Sequence, residues 1–300
     1  MSPTRSEGYN PRMLRLRNVA RPDSRRVLGA AACLLLPLTM LPVACGGSRG
    51  PTVDSEAVRA ALAKGSDPAA WEPLDTATPP RRLRDPRTGI TFVRVPAGEF
   101  VFGPAGNPQT VRISKDFLLA EGELTIAQWQ RCVAELGADA SVPIPTGSAQ
   151  HPMPMSWLDS ESFCARLGYR LPTEAEWERA CRADHSPADA PWSTPARQQE
   201  HSWYNANAGD GSHPCHTRKP NAWGFSDMLG NLWEWCADRH SNPPTTKDVV
   251  VDPTGPTAGD ARVLRGGSWF TTPGPLAETR TAGYPNERNM FYGLRPARSL

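Results

Sequence analysis

The chain has 300 residues, a formal net charge of +2 and ten tryptophans. So small a net charge does not predict the basic surface that nucleic-acid-binding proteins present, and we expect no nucleic-acid partner. We interpret the tryptophans chiefly as rings that fill an irregular core, with a ligand-stacking surface as the alternative.

The first 45 residues have the order of a secretory signal. Basic residues within Arg12–Arg26 precede an apolar run, Val27–Leu41, which is shorter than the ~20 residues of a membrane-spanning helix. The run ends in Leu41–Cys45, which resembles a bacterial lipobox and predicts that Cys45 is lipidated and anchors the protein in the cell envelope, in the periplasm or at the cell surface. An uncleaved anchor would give the same topology. Ser24–Leu28 also partly resembles a twin-arginine signal, so the export route stays open.

Residues 46–88 are rich in Gly, Pro and Ser, and this composition predicts a flexible linker with one short helix near Glu56–Lys64. The folded domain is predicted to span residues 89–300. At its start, Thr91–Val95 alternates in polarity and predicts a strand, followed by a turn at Pro96–Gly98. Glu99–Gly103 is the expected hairpin partner of that strand.

Three helices are predicted by capping boxes, in which a Ser or Thr is followed three residues later by a side chain that can bond back to it. The pairs are Thr125 with Gln128, Ser156 with Asp159 and Thr173 with Glu176, and Gly137 and Gly168 end the first two helices. Apolar stripes predict the buried faces: Ile126, Trp129, Cys132, Val133 and Leu136; Phe163, Cys164 and Leu167; Trp177, Ala180 and Cys181.

The third helix also carries Glu174, Glu178 and Arg182 at spacings of four residues, which predicts a solvated face. Beyond residue 183 helical periodicity is weak, and Arg262–Arg265 is one of few strand-like runs. The sequence therefore predicts an α+β domain whose second half is irregular and rich in loops.

Several of these segments, in this order, resemble the formylglycine-generating enzyme family, also called the sulfatase-modifying-factor family. They are Phe92–Phe100, Gly122–Trp129, Arg170–Glu178, Pro220–Trp235, Arg265–Trp269 and Gly293–Arg295. The resemblance covers roughly residues 88–300 and implies a C-type-lectin-like fold with little regular secondary structure.

Active members of this family oxidise a cysteine in a sulfatase-type peptide to formylglycine, and two cysteines near the Arg-Gly-Gly-Ser-Trp motif bind their Cu(I). Here Thr271 and Leu276 occupy those two positions, and residues 270–300 contain no cysteine. Neither side chain is a ligand for Cu(I), so we expect neither copper nor the family's catalytic site. The first hypothesis is a non-catalytic exported lipoprotein that recognises a peptide, protein or glycan; the alternative is an active formylglycine-generating oxidase.

The resemblance implies a binding groove around Ser268, Trp269 and Thr271. Side chains expected near the groove are Arg280, Arg288, Asn289 and Tyr292. The resemblance also implies a structural calcium site, with carboxylates from Asp227 and Glu234 and backbone carbonyls from Gly230 and Leu232. The alternative is that Asp227 shapes a turn and Glu234 pairs with an arginine.

Five further cysteines are interpreted as buried thiols or disulfide halves, with their pairing open: Cys132, Cys164, Cys181, Cys215 and Cys236. A Cys215–Cys236 disulfide is favoured over a transition-metal site formed by these two residues with His213, His216 and His240.

Overall fold

The computed structural model describes residues 66–300, apart from 79–80, 138–140, 146, 187, 242–247, 273 and 275. The predicted signal peptide with Cys45, and the helix expected near Glu56–Lys64, lie outside the described residues. Among the helices that are described, none has the length and apolar character needed to cross a membrane.

Four α-helices and twelve β-strands are present in the described residues, which confirms the predicted α+β class. The helices are α1 (Ile126–Leu136), α2 (Trp157–Leu167), α3 (Glu174–Arg182) and α4 (Pro195–His201). The strands are β1 (Glu72–Pro73), β2 (Arg82–Arg84), β3 (Thr91–Val95), β4 (Gly98–Phe102), β5 (Gln109–Ile113), β6 (Phe117–Ala120), β7 (Trp233–Arg239), β8 (Val250–Val251), β9 (Arg262–Arg265), β10 (Arg280–Gly283), β11 (Tyr292–Gly293) and β12 (Ala297–Ser299). Long irregular connections join these short elements.

The described strands form three sheets, in the orders β1-β2-β3-β6-β12, β10-β9-β7-β11 and β4-β5-β8. The first sheet separates the two main hydrophobic clusters of the core. Phe92 of β3 belongs to one cluster, whereas Val93 and Val95 belong to the other, because successive side chains of a strand point to opposite faces. Trp129, Trp177 and Trp235 are fully buried in these clusters, in agreement with the core-filling interpretation.

The predicted hairpin of β3 with β4 is wrong. β3 pairs with β2 and β6, whereas β4 pairs with β5 in another sheet. The chain changes sheets at Pro96–Gly98, where the Pro96 carbonyl accepts a hydrogen bond of 2.9 Å from Arg179 Nε. An alternating pattern identifies a strand but does not identify its partners, and β3 pairs on one edge with the preceding strand β2 and on the other with β6.

The predicted starts of α1, α2 and α3 are confirmed, because Thr125, Ser156 and Thr173 each form a reciprocal capping box. Helix α4 was not predicted. Thr194 caps it and Pro195 occupies its first turn, a common arrangement at helix starts. Its residues are nearly all polar, so it has no apolar stripe from which it could be recognised.

The folded domain begins before the predicted boundary at residue 89. The Trp71 ring is buried, with its centroid 5.0 Å from that of Phe92 and 6.2 Å from that of Tyr169. β2 continues the first sheet by pairing with β3. Described residues between 66 and 88 therefore belong to the domain, and the linker-like composition did not predict the two short strands β1 and β2 or the buried Trp71.

Candidate functional site

The Arg-Gly-Gly-Ser-Trp segment leaves β9 and forms a tight turn. Gly266 and Gly267 have φ values of 91° and 80°, a region that favours glycine. The Ser268 N–H donates to Thr271 Oγ1 at 2.7 Å, and the Thr271 N–H donates to the Ser268 carbonyl at 3.0 Å. Ser268 and Trp269 are buried in this turn, and the Thr271 hydroxyl closes it.

Three aromatic rings meet beside this turn and form what we call the aromatic patch: Trp269, Phe270 and Phe291. The Trp269 centroid lies 5.6 Å from that of Phe270 and 5.0 Å from that of Phe291. Phe270 is 62% exposed, although the burial of an aromatic ring is normally favourable. Trp269 is buried and Phe291 is half-buried against it, so Phe270 is the ring of the patch that presents its surface to a ligand. Sequence reasoning missed Phe291, because only the tertiary structure brings it to Trp269.

Trp203 supports the turn that precedes β7 without offering a free ring face. The His213 ring stacks on it with centroids 3.7 Å apart, and the Arg218 guanidinium lies 3.5 Å from the Trp203 ring centroid. The Trp203 carbonyl accepts a hydrogen bond from the Asn231 N–H at 2.8 Å. Two groups at such short distances cover both faces of the ring, so Trp203 acts as a structural support.

The other residues expected near the groove have structural contacts. Arg288 pairs with Asp159, and the ring of Tyr292 in β11 packs edge-on against Trp235 at 5.1 Å. Asn289 Oδ1 accepts a hydrogen bond from the Phe291 N–H at 2.9 Å, so Asn289 helps to position the patch.

The predicted solvated face of α3 is wrong, since Glu174 and Glu178 are buried. Arg265 at the end of β9 donates to Glu178 Oε2 at 2.5 Å and to Glu174 Oε1 at 3.3 Å. Arg280 Nε donates to Glu174 Oε1 at 2.8 Å. The carboxylates turn inward because β9 and β10 place arginines against the helix.

Arg280 lines a cavity of about 360 Å³ beside α3. Asp238 also lines this cavity. Burial raises the pKa of Asp238 to about 7, and the hydrogen bond that its Oδ2 accepts from the Glu174 N–H at 2.7 Å only partly opposes this effect.

All five cysteines among the described residues are free and buried, so the favoured Cys215–Cys236 disulfide is wrong. Cys215 instead packs against Glu123, whereas Cys236 lies in a hydrophobic cluster. Burial raises the pKa of Cys132 to about 12 and raises the pKa values of Cys164 and Cys181 well above the usual range. These thiols stay protonated at neutral pH and are therefore poor ligands and nucleophiles.

The carboxylate of Glu234, a predicted calcium ligand, is already fully engaged. Arg295 donates to Glu234 Oε2 at 2.8 Å and to Oε1 at 2.7 Å, and Trp177 Nε1 donates to Oε2 at 2.6 Å. The residues present thus fit calcium at Asp227 but not at Glu234, since an ion bound by Glu234 would have to displace Arg295.

Asp227 instead lies with Glu123 and Cys215, all three buried, and their ligand atoms are within 4.8 Å of one another. Glu123 Oε1 accepts the Leu232 N–H at 2.8 Å, and Oε2 accepts Asn231 Nδ2–H at 2.6 Å. Burial and the neighbouring Asp227 carboxylate raise the pKa of Glu123. The sequence analysis did not identify Glu123 as a site residue. Its position between Gly122 and the buried Leu124 was an indication that this acidic side chain is buried too.

Comparison of the chain with known proteins identifies its family. The model of the "Sulfatase-modifying factor enzyme 1-like domain" matches residues 79–300. Formylglycine-generating enzyme from Streptomyces coelicolor is 36% identical over 157 residues, which cover 48% of this chain and 48% of that protein. Hercynine oxygenase from Mycolicibacterium smegmatis is 35% identical over 155 residues, which cover 48% of this chain and 36% of that protein. The chain thus spans about half the length, or less, of these curated relatives.

Among solved structures, Treponema denticola variable protein 1 is similar, with a TM-score of 0.61 and 25% sequence identity. The similarity covers 70% of this chain and 95% of that protein. The order of the sequence motifs, the irregular α+β fold and the family match over residues 79–300 agree. The chain belongs to the family of sulfatase-modifying factor enzyme 1-like domains, to which its formylglycine-generating relatives also belong.

Proposed function

We propose that this protein is an exported lipoprotein, anchored through Cys45, whose domain binds a peptide, protein or glycan without converting it. Among these ligands the aromatic patch favours a peptide with an apolar side chain. The alternative is a formylglycine-generating oxidase, an activity carried by a relative that is 36% identical over 157 residues.

The observation that carries the proposal is the role of Thr271. Its hydroxyl accepts the Ser268 N–H at 2.7 Å at one of the two positions where the family resemblance implies a copper-binding cysteine. The other position is Leu276, whose N–H donates to Thr279 Oγ1 at 2.7 Å. Cu(I) requires soft ligands such as thiolates, and a hydroxyl and an alkyl group supply none.

The remaining cysteines do not offer a substitute in the part of the chain that the structure describes. Each is buried, and burial raises the pKa values of the Cys132, Cys164, Cys181 and Cys236 thiols, so that their thiolates are disfavoured. Cys215 lies beside two carboxylates, those of Glu123 and Asp227, and offers one thiol where the family resemblance implies a pair for Cu(I). The relatives named above differ in activity from one another, so family membership by itself does not assign oxidase activity to this chain.

The first test measures turnover. The full chain is incubated with a Cys-x-Pro-x-Arg peptide, a copper salt and oxygen, and the peptide is analysed by mass spectrometry. We expect unmodified peptide. A peptide that carries the formylglycine aldehyde would overturn the proposal and establish the alternative.

The second test measures binding of the same peptide, labelled with a fluorophore, by anisotropy. Phe270→Ala should weaken binding at least about tenfold, because removal of a contacting aromatic ring at an interface commonly costs more than 1.4 kcal/mol. Val101→Ala is the matched control, since Val101 is 56% exposed on β4 and lies outside the patch. Equal affinity in the two variants, or no binding by the wild type, would contradict peptide recognition at the patch.

The membrane anchor is tested separately. Replacement of Cys45 by alanine should move the protein from the membrane fraction to the soluble envelope fraction, because the acyl chains would be lost. Equal incorporation of a labelled fatty acid into the variant and the wild type would contradict lipidation at Cys45.

A further inference from the structure

Three segments that are far apart in the chain place a cysteine and two carboxylates together. Glu123 follows β6, Cys215 lies in the loop after α4, and Asp227 lies in the turn before β7. Their ligand atoms lie within 4.8 Å of one another, and all three residues are buried. An ion bound here would connect three loops.

One oxygen of this cluster has no partner. Asp227 is 2% exposed, and its Oδ2 accepts the His216 N–H at 2.7 Å. Its Oδ1 is buried and has no hydrogen-bond partner within the described part of the chain. A buried carboxylate oxygen without a partner is unfavourable, and a bound ion is one of the standard explanations for it.

The described residues give neither carboxylate of the cluster a direct cationic partner, although the nearby Arg295 charge acts to lower the pKa values of both. Neither Glu123 nor Asp227 forms an ion pair with another described residue, whereas Arg295 is held by two hydrogen bonds to Glu234. Two buried carboxylates without a paired cation are costly, and a divalent cation would compensate both.

The separation between the ligand atoms of Cys215 and Glu123 suits a small ion with a sulfur ligand. The Cys215 thiol donates a hydrogen bond to Glu123 Oε2, with 3.6 Å between the sulfur and the oxygen. Zinc bonds of about 2.3 Å to sulfur and about 2.1 Å to oxygen, at a tetrahedral angle, place the two ligand atoms about 3.6 Å apart. Calcium, in contrast, takes six to eight oxygen ligands at longer distances and gains little from sulfur.

We propose that Glu123, Cys215 and Asp227 bind a divalent cation of the zinc type as a structural site. On binding, the Cys215 thiol loses its proton to solvent and the thiolate bonds to the metal, while Glu123 and Asp227 each supply one carboxylate oxygen. Water completes the tetrahedron. This site shares Asp227 with the predicted calcium site but replaces Glu234 by Glu123 and Cys215.

The test uses cobalt(II), which takes zinc sites and absorbs in the near ultraviolet when a thiolate is bound to it. The full chain, reduced and stripped of metal, is titrated with cobalt chloride. We expect one equivalent to produce the thiolate charge-transfer band, zinc to abolish it, and calcium in excess to leave it. Cys215→Ser should lose the band, and Asp227→Asn should bind cobalt more than about 100-fold more weakly, since even changes outside the ligand shell cost 10–100-fold.

Two variants serve as controls. Cys132→Ala removes another buried thiol, and Asp238→Asn removes another buried carboxylate; neither residue belongs to the cluster. Both variants should keep the band.

Three results would overturn the site: no band in the wild type, a band that survives in Cys215→Ser, or displacement of cobalt by calcium. Native mass spectrometry of the wild type provides a measurement that does not depend on the folding of any variant. A chain that carries no zinc after dialysis against zinc would also exclude the site.

Discussion

The charged side chain of Arg265 is buried, with only 1% of its surface exposed to solvent. Its guanidinium donates to Glu178 Oε2 at 2.5 Å and to the Ala277 carbonyl at 2.7 Å. Such a pair holds β9 against α3 because each charge has lost its water and depends on the other. Residues of this kind are sensitive to the removal of one partner, whereas exposed ion pairs are not.

We therefore predict that Arg265→Leu lowers the free energy of unfolding by more than about 2 kcal/mol, because Glu174 and Glu178 stay buried with Arg280 and Arg182 as their remaining charged partners. Arg112→Leu is the control. It breaks an equally short ion pair, 2.5 Å from Arg112 Nη2 to Glu99 Oε1, in which the side chains are 50% and 46% exposed. Its cost should stay below about 1 kcal/mol. Urea denaturation of both variants checks the difference, and equal losses would contradict it.

At the scale of an element, α3 depends on its first turn. The Thr173 hydroxyl accepts the Glu176 N–H at 3.2 Å, and Glu176 Oε2 accepts the Thr173 N–H at 2.9 Å. Glu176 is also held by two hydrogen bonds from Arg170. The cap thus fixes the start of the helix from which Glu174 and Glu178 reach Arg265.

Thr173→Ala should reduce the free energy of unfolding by about 1 kcal/mol, because one buried N–H of the first turn loses its acceptor. Thr173→Ser keeps the hydroxyl and should cost much less. Thermal unfolding of the two variants beside the wild type measures this difference. A serine variant as unstable as the alanine variant would show that the methyl group of Thr173, and not the cap, matters.

For the whole molecule, the buried carboxyl of Asp238 links stability to pH. Burial raises its pKa from 3.8 to about 7 in the folded chain. The folded state therefore holds this proton more tightly than the unfolded chain does. The stabilising contribution is complete below about pH 4 and is lost as the pH rises through about 7.

We predict that Asp238→Asn removes this part of the pH dependence. Near pH 4 the variant and the wild type should be similarly stable. At pH 8 the variant should be more stable by at most about 4 kcal/mol, since each pKa unit corresponds to about 1.4 kcal/mol. Denaturant titrations at both pH values measure the change. A variant with an unaltered slope would contradict the assignment to Asp238.

The parts of the fold that the sequence predicted depend on contacts a few residues apart. Thr125, Ser156 and Thr173 cap their helices through residues three positions away, so their pattern can be read locally. Helix α4 was missed because its polar composition gives no periodicity. The partner of β3 was predicted incorrectly because alternation reports the faces of a strand and not its neighbours.

The sequence by itself determined the family, the α+β class, the capped helices and the absence of cysteine from residues 270–300. Each of these depends on residue identity or on short-range spacing. Only the tertiary structure decided that Glu174 and Glu178 face inward, that Phe291 joins the aromatic patch, and that Cys215 stays a free thiol beside Glu123. Glu123 and Leu232, which are joined by a hydrogen bond, are 109 residues apart. Whether a side chain is buried, and whether its charge is compensated, depends on which distant segments of the chain come into contact. A local sequence pattern does not specify these contacts.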